Sequence, residues 1–371
     1  MHQPDMNVCM VTCQHFLSGI GNYGYELSRE MRKHLPSTSL LKPYRENHDD
    51  ADIHKHSWIK PIQYRSFRNL HPYVMPLFVR KALNCSRDAR TDIIHAHWFM
   101  SGLAATLAVK KPVVVTMHDV SLLHIGETGP RYLAYYKWVL KRFKKRRIPI
   151  IVVSKSAKLD AIKYADYPQE LIFPVHNGIN HARFNPGSGP GKSQNDRFRV
   201  IYSGGLGPRK NVGLLLEAFK QVQQRIPDIE LHIAGASPAR TPWPQRAHDL
   251  GLTHVTFTGF IADEDMADFY RNGDLLVFPS RYEGFGFAPL EAMACGTPVL
   301  SARGGALTET SGNGADFFEY DVDDLADKME RLIQDGERRQ QLTDRGTEWV
   351  KRYSWRATAI NTLSVYRRLL K

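Results

Sequence analysis

Cysteine is scarce in this chain. Its 371 residues include four, at positions 9, 13, 85 and 295, and no spacing among them suits a metal cluster or a redox pair. Reduced, structural thiols are the default, which fits a cytosolic protein. Long hydrophobic runs are also lacking, so no segment is expected to cross a bilayer. Met1 to Asp5 is polar, and the apolar run behind it is short and broken by Gln14 and His15, so no secretory leader is expected. No Asp-x-Asp pair stands at an expected strand end. The acidic cluster Asp49-Asp50-Ala51-Asp52 falls in a polar loop and reads as solvent exposed. His95 and His97 flank Ala96 on one strand, but with no carboxylate or cysteine nearby they read as strand-end packing rather than metal ligands.

Acidic charge is in deficit, with 38 Asp and Glu against 50 Lys and Arg for a formal net charge of +12. A surface this basic attracts phosphates of every kind. The charge is densest between Arg131 and Arg147, where Lys137, Lys141, Arg142, Lys144, Lys145 and Arg146 alternate with Tyr132, Tyr135, Tyr136, Trp138 and Phe143. This pattern predicts a basic helix with a broad aromatic face, suited to the interface of an anionic bilayer or to packing on a domain core with its charges solvated. A second basic and aromatic region, Lys60 to Lys81, contains Tyr64, Arg65, Phe67, Arg68, Tyr73, Phe78 and Arg80. No nucleic-acid motif accompanies the charge, so nucleic acid is not an expected partner.

Strand and helix signals alternate in two similar passes. The first has strands at Asn7–Thr12, Asp92–His97, Pro112–Met117 and Ile148–Ser154 and closes on the run Ile172–Ile179, with a polar loop holding Gly19, Gly21 and Gly24 and then a helix from about Tyr23 to His34. A breaker-rich stretch, Asn185 to Asn195, reads as a linker. The second pass has strands at Phe198–Gly205, Glu230–Gly235, Val255–Gly259, Leu275–Phe278 and Thr297–Ser301, with a helix from about Gly213 to Arg225. Near-continuous apolar strands alternating with amphipathic helices predict α/β architecture with two doubly wound parallel sheets. The domains expected are 1–184 and 198–352, joined by a linker over 185–197. A helical segment over 353–371 follows, which either crosses back to the first domain or stays on the second.

The most informative stretch runs from Arg281 to Val299. It sets Glu283 and Glu291, with seven residues between them, around Gly284 and Gly286 at the mouth of a helix. The glycines let a ligand approach the backbone, and the free N–H groups at the helix start favour an anion. Glu283 is placed to accept hydrogen bonds from sugar hydroxyls, and Glu291 to hold a ribose diol. Other candidates also end strands: Gly19-Ile20-Gly21-Asn22, the pair His118-Asp119, and Gly204-Gly205-Leu206-Gly207-Pro208-Arg209-Lys210-Asn211 with two cations. Phe260, directly after a strand, is placed with the ligand-binding residues. Parallel sheets bind ligands beyond the carboxyl ends of their strands, so two sheets facing a central cleft are expected to share a site there. Trp98 and Phe99 either line the acceptor side of that site or belong to the core.

With these residues in view, the chain resembles the family-4 glycosyltransferases, retaining enzymes of GT-B fold that use nucleotide-sugar donors. The resemblance spans nearly the whole length and is most specific from Glu283 to Glu291 and on through Ala292-Met293-Ala294-Cys295-Gly296-Thr297-Pro298-Val299. Asn177-Gly178-Ile179-Asn180 matches the family's usual end to the N-terminal, acceptor-side domain. The resemblance implies that Glu283 holds the donor sugar, that amides around Phe285, Gly286 and Phe287 bind sugar hydroxyls or phosphate, and that Glu291 binds the ribose. It implies that Lys210 and a neighbouring arginine neutralise the diphosphate, and that His118 lies by the transferred sugar. One departure stands out: many relatives carry an arginine where this chain has Gly205, so the guanidinium must come from Arg209 or elsewhere.

Two cations, loop amides and a helix N-terminus would do here what a metal does in other enzymes, so no metal or other cofactor is expected. Retention without an obvious nucleophile implies front-face attack by the acceptor hydroxyl. Glu283 as a nucleophile, after the manner of retaining glycosidases, is the less favoured route. GDP-mannose is the first expectation for the donor and a UDP-sugar the second. The basic aromatic helix points to a lipid-linked acceptor, with the protein peripheral on the cytoplasmic leaflet. Two other classes compete. A nucleotide-sugar epimerase or dehydrogenase would use the Gly19, Gly21 and Gly24 spacing as its dinucleotide loop, although no acidic residue ends a strand about twenty residues on. A noncatalytic scaffold would bind anionic membranes through the basic helix.

Overall fold

The computed structural model describes residues 6–12, 19–44, 57–63, 73, 76–77, 79–81, 83, 91–187 and 197–371. Cys13, Gln14, His15, Asp49 to Asp52, Tyr64, Arg65, Phe67, Arg68, Phe78 and Cys85 lie outside them, as do linker residues 188–196. The chain divides into two units, one made of Met1–Gly178 with Trp355–Lys371 and the other of Ile179–Ser354.

In the first unit, the strands β1 (Val8–Thr12), β2 (Ser39–Tyr44), β3 (Ile59–Gln63), β4 (Ile93–His97), β5 (Val113–His118), β6 (Ile150–Val152) and β7 (Ile172–Pro174) form one sheet. Their order is β3-β2-β1-β4-β5-β6-β7, and every neighbouring pair is parallel. In the second unit, β8 (Phe198–Ser203), β9 (Ile229–Ala234), β10 (Val255–Gly259), β11 (Leu275–Phe278), β12 (Val299–Ala302) and β13 (Asp316–Phe318) are ordered β10-β9-β8-β11-β12-β13, again all parallel. Each sheet therefore runs outward from its first strand and then reverses. The reversal opens a crevice between β1 and β4 and another between β8 and β11, where α/β sheets bind ligands.

Burial explains which strands are legible. Every residue of β1, β4, β11 and β12 is buried, as befits strands covered on both faces. The strands β2, β3 and β13 have no counterpart in the expected set. Pro43 and Pro61 argue against the first two, yet Pro43 sits beyond the end of the β1 pairing and Pro61 is on the edge strand, so neither removes a needed ladder bond. The helix Phe99–Ala108 lies close on β5 because Gly102 has no side chain: a Cβ there would fall 2.8 Å from a Val115 methyl and 2.9 Å from Phe143.

One local expectation is overturned. Gly19, Gly21 and Gly24 do not form a loop; they lie in the helix Gly19–Met31, which starts four residues earlier than expected. Tertiary packing decides this, because Tyr23, Leu27 and Met31 are fully buried on one helical face and Gly24 leaves room for the His97 ring.

The terminal helix Trp355–Leu369 packs inside the first unit. Tyr366 Oη is 2.6 Å from His95 Nδ1, Thr358 donates to the His176 carbonyl at 2.9 Å, and Trp355 meets the Tyr23 ring edge-on. His95 bonds Thr116 through its other nitrogen at 2.6 Å, so it is a core strand residue satisfied by two hydroxyls. Trp98 and Phe99 are buried core aromatics, Trp98 stacked on Tyr136 and Phe99 edge-on to it.

Candidate active site

The second unit places its candidates at the crevice between β8 and β11. After β8 the chain turns through Gly204 to Gly207 into a short turn of 3-10 helix, Pro208–Lys210, and Asn211 in left-handed conformation starts the helix Val212–Arg225. After β11 it runs through Pro279 to Gly286, where Gly286 at φ 90° turns it into the helix Phe287–Ala294. The two loops clasp each other. The Arg281 N–H donates to the Arg209 carbonyl at 2.9 Å, and the Arg209 guanidinium donates to the Tyr282 carbonyl.

This clasp brings Glu283, Lys210 and Arg209 together. Glu283 Oε1 accepts from Lys210 Nζ at 2.6 Å and from Ser280 Oγ at 2.6 Å, and lies 3.1 Å from Arg209 Nη1. Burial alone would push this carboxyl up, but the Lys210 ammonium and the Arg209 guanidinium outweigh it and hold Glu283 below the usual carboxylate range. The ammonium also lies 5.3 Å from the Phe278 ring centre. The Glu283 backbone is gripped from the far side: its carbonyl accepts the Ala306 N–H at 2.8 Å, and Gly305 passes so close that a Cβ there would come within 2.4 Å of that oxygen. Gly305 also has φ 60°, so only glycine fits without strain.

Glu291 stands one turn into the helix Phe287–Ala294. It accepts a hydrogen bond from Tyr270 Oη at 2.9 Å, and Tyr270 is joined at 2.8 Å to Ser203, the last residue of β8. Burial pushes the Glu291 carboxyl up to about 7 against the effect of that hydrogen bond. The loop around it is filled by apolar side chains, for Phe285 is buried edge-on against Phe287 and Tyr353, leaving backbone rather than side chain to face a ligand at Gly284 and Gly286. Gly205 lies under the Lys210 side chain and its carbonyl accepts from Tyr202 Oη at 2.6 Å. Phe260 follows β10 with 61% of its surface exposed.

The first unit holds the remaining candidates. His118 ends β5 with φ 57°, and Trp98, just past β4, has φ 78°. Left-handed conformations are rare in such residues, and they cluster where a site over-determines the backbone. Tyr23 presents its ring edge to both His118 and His97 at 4.8 and 5.2 Å. Burial lowers His118 to about 3, so the ring is neutral at pH 7. Gly19, Gly21 and Asn22 are in the first turn of their helix.

Sequence reading missed Ser280, Tyr270, Ser203 and the Gly304-Gly305 turn. Ser280 is three residues before Glu283 in the same loop and could have been found. Tyr270 and Gly305 act across the fold and carry no local signal.

Comparison with known proteins agrees with this architecture. Sucrose-phosphate synthase from Thermosynechococcus elongatus superposes with a TM-score of 0.80 over 98% of this chain and 99% of that one, at 22% identity. The two parallel-sheet units have the GT-B fold. Residues 17–183 match the model for Glycosyltransferase Family 4, and residues 189–349 match that for glycosyl transferases group 1. The chain belongs to the family-4 glycosyltransferases. An uncharacterized glycosyltransferase of Methanocaldococcus jannaschii is 27% identical over 96% of this chain and 93% of its own length. The O-antigen chain mannosyltransferase B of Escherichia coli is 26% identical over 95% of this chain and 97% of its own length. The serotype-specific mannosyltransferase WbdA of Escherichia coli is 27% identical over 88% of this chain, which spans 43% of the WbdA length.

Proposed function

We propose that the protein moves mannose from GDP-mannose to a hydroxyl of a lipid-linked or saccharide acceptor, with retention of anomeric configuration and without a metal ion. The observation that carries this reading is the cluster of Lys210, Arg209 and Glu283 at the β8–β11 crevice. In this structure the two cations are paired with Glu283. A nucleotide sugar entering the crevice offers them a diphosphate of higher charge, and the carboxylate, released, accepts hydrogen bonds from the sugar hydroxyls. The amides of Phe285 to Phe287, at the positive end of their helix, add to the diphosphate field. Glu291 holds the ribose diol, and Phe260 and Gly205 complete the donor contacts of the second unit.

The acceptor oxygen bonds to the anomeric carbon on the face the phosphate leaves, the bond from carbon to phosphate oxygen breaks, and the acceptor proton passes to the departing phosphate. Negative charge builds on the diphosphate, where Lys210 and Arg209 stabilise it. Glu283 as nucleophile is the less favoured route, because in this reading its carboxylate is engaged by the sugar hydroxyls. The mannosyltransferase named above supports mannose as the sugar. A dinucleotide-binding reading of Gly19, Gly21 and Gly24 loses its footing, since six residues separate Gly19 from the end of β1 and all three glycines are helical. Product mass after incubation with a panel of GDP- and UDP-sugars and a lipid-diphosphate oligosaccharide tests the reading. Transfer from GDP-mannose supports it, and transfer from UDP-sugars alone overturns the donor.

A further inference from the structure

The helix Pro130–Lys145 buries Tyr136, Val139, Leu140 and Phe143 and turns another face outward. Arg131, Ala134, Trp138, Lys141 and Lys145, spaced three, four, three and four residues apart, are all exposed along that face, and Lys137 is exposed beside them. Trp138 keeps 51% of its surface exposed. Core packing accounts for the buried face and leaves this one unexplained.

The structure joins this face to part of the second basic region. Tyr73 packs on Tyr135 at 4.9 Å between ring centres, and Tyr135 stacks in turn on Trp138 at 6.2 Å. The helical residues Tyr73, Leu77, Arg80 and Lys81 share one exposed face, while Pro76, Val79 and Leu83 are buried. Leu77 is 59% exposed. Tyr73 and Trp138, joined through Tyr135, thus make an aromatic centre contributed by two separate segments; Leu77 is exposed one helical turn from Tyr73, and Arg80, Lys81, Arg131, Lys137, Lys141 and Lys145 are exposed on the same two segments.

The charge on this patch is not balanced from within. No acidic residue occurs between Glu127 and Asp160. Lys144 and Arg147 reach Asp166 and Glu170, but Arg131, Lys137, Lys141 and Lys145 have no carboxylate partner among the described residues. A partner that fits must supply dense negative charge and an apolar layer to receive Trp138 and Leu77. Nucleic acid supplies the charge but offers an exposed leucine nothing.

We infer that this two-segment patch docks the protein on an anionic lipid bilayer, with Trp138 and Leu77 at the headgroup boundary and the cations on the lipid phosphates. The inference deepens, and rests on, the reading of a lipid-linked acceptor. Sedimentation of the full chain with vesicles of phosphatidylcholine and phosphatidylglycerol in equal parts tests it. Binding is expected there, with a blue shift of tryptophan fluorescence that Trp138→Ala removes, and no binding to phosphatidylcholine alone. Lys141→Ala with Lys145→Ala is expected to weaken vesicle binding about 25-fold, roughly fivefold for each cation. The same double variant leaves hydrolysis of the free nucleotide sugar unchanged, since neither lysine belongs to the donor site. Unweakened binding by the double variant, equal binding to neutral vesicles, or binding to double-stranded DNA in place of vesicles overturns the inference. A chain that binds anionic vesicles but turns over no nucleotide sugar upholds the docking and overturns the transferase reading instead.

Discussion

Glu283 holds its place through three partners supplied by two loops, and each can be removed singly. Lys210→Ala leaves Arg209 and Ser280 on the carboxylate, so the fold should survive while the proposed diphosphate site loses one of its two cations. Transfer should fall by about two to three orders of magnitude, the usual loss when one preorganised charge-stabilising group is removed, with an unchanged circular dichroism spectrum. Near-normal turnover would show that the cluster is structural. Gly305→Ala tests the backbone grip on Glu283: a Cβ at φ 60° pressed against the Glu283 carbonyl should cost about 1–3 kcal/mol and lower both the melting temperature and turnover.

Glu291 adds a pH dependence at the same scale. Its folded value of about 7 lies above the unfolded 4.5, so the folded protein holds the extra proton between those values. A ribose diol donates better to the ionised carboxylate, so nucleotide affinity should fall as pH drops below about 7. Glu291→Gln should flatten that slope in a calorimetric titration. A slope that persists in the variant places the titrating group elsewhere. The two carboxylates and two cations were legible in sequence because glycines and strand ends flank them. Their mutual contact was not, since Lys210 and Glu283 are 73 residues apart and meet only when β8 and β11 pair.

At the scale of elements, the sheet core follows from strands buried along their whole length, β1, β4, β11 and β12, which read as near-continuous apolar runs. The edge elements do not. The strand β2 carries Lys42 and Pro43 within six residues, a composition that reads as loop until its pairing with β1 and β3 is known. The turn at Gly19 was misread for the opposite reason: three glycines suggest a loop, and burial of Tyr23, Leu27 and Met31 makes it a helix. Gly102 shows how closely helix and sheet are fitted. Gly102→Ala should destabilise the protein by about 1–3 kcal/mol through overpacking against Val115 and Phe143, read as a lower melting temperature. An unchanged melt would mean that the helix Phe99–Ala108 shifts freely on β5.

For the whole molecule, the two units should answer pH in opposite senses. His95 and His118, lowered by burial to about 3, are neutral in the folded first unit and bind protons near 6.5 when unfolded. Their contribution is present above 6.5 and is lost as pH falls from there toward 3. Glu291 works the other way in the second unit: its contribution is present below 4.5 and is lost as pH rises through about 7. Calorimetric scans across this range should show first-unit melting weaken on the acid side, and a pH-independent profile would contradict the burial of these histidines.

The central claim is that the crevice between β8 and β11 binds a nucleotide sugar and releases its hexose to an acceptor. Mass spectrometry of the acceptor after incubation with GDP-mannose tests it most directly, run beside Lys210→Ala and without added metal. The account predicts an acceptor heavier by one hexose, with release of GDP, that is absent with the variant. No added hexose from GDP-mannose, or the same addition by Lys210→Ala, would contradict it.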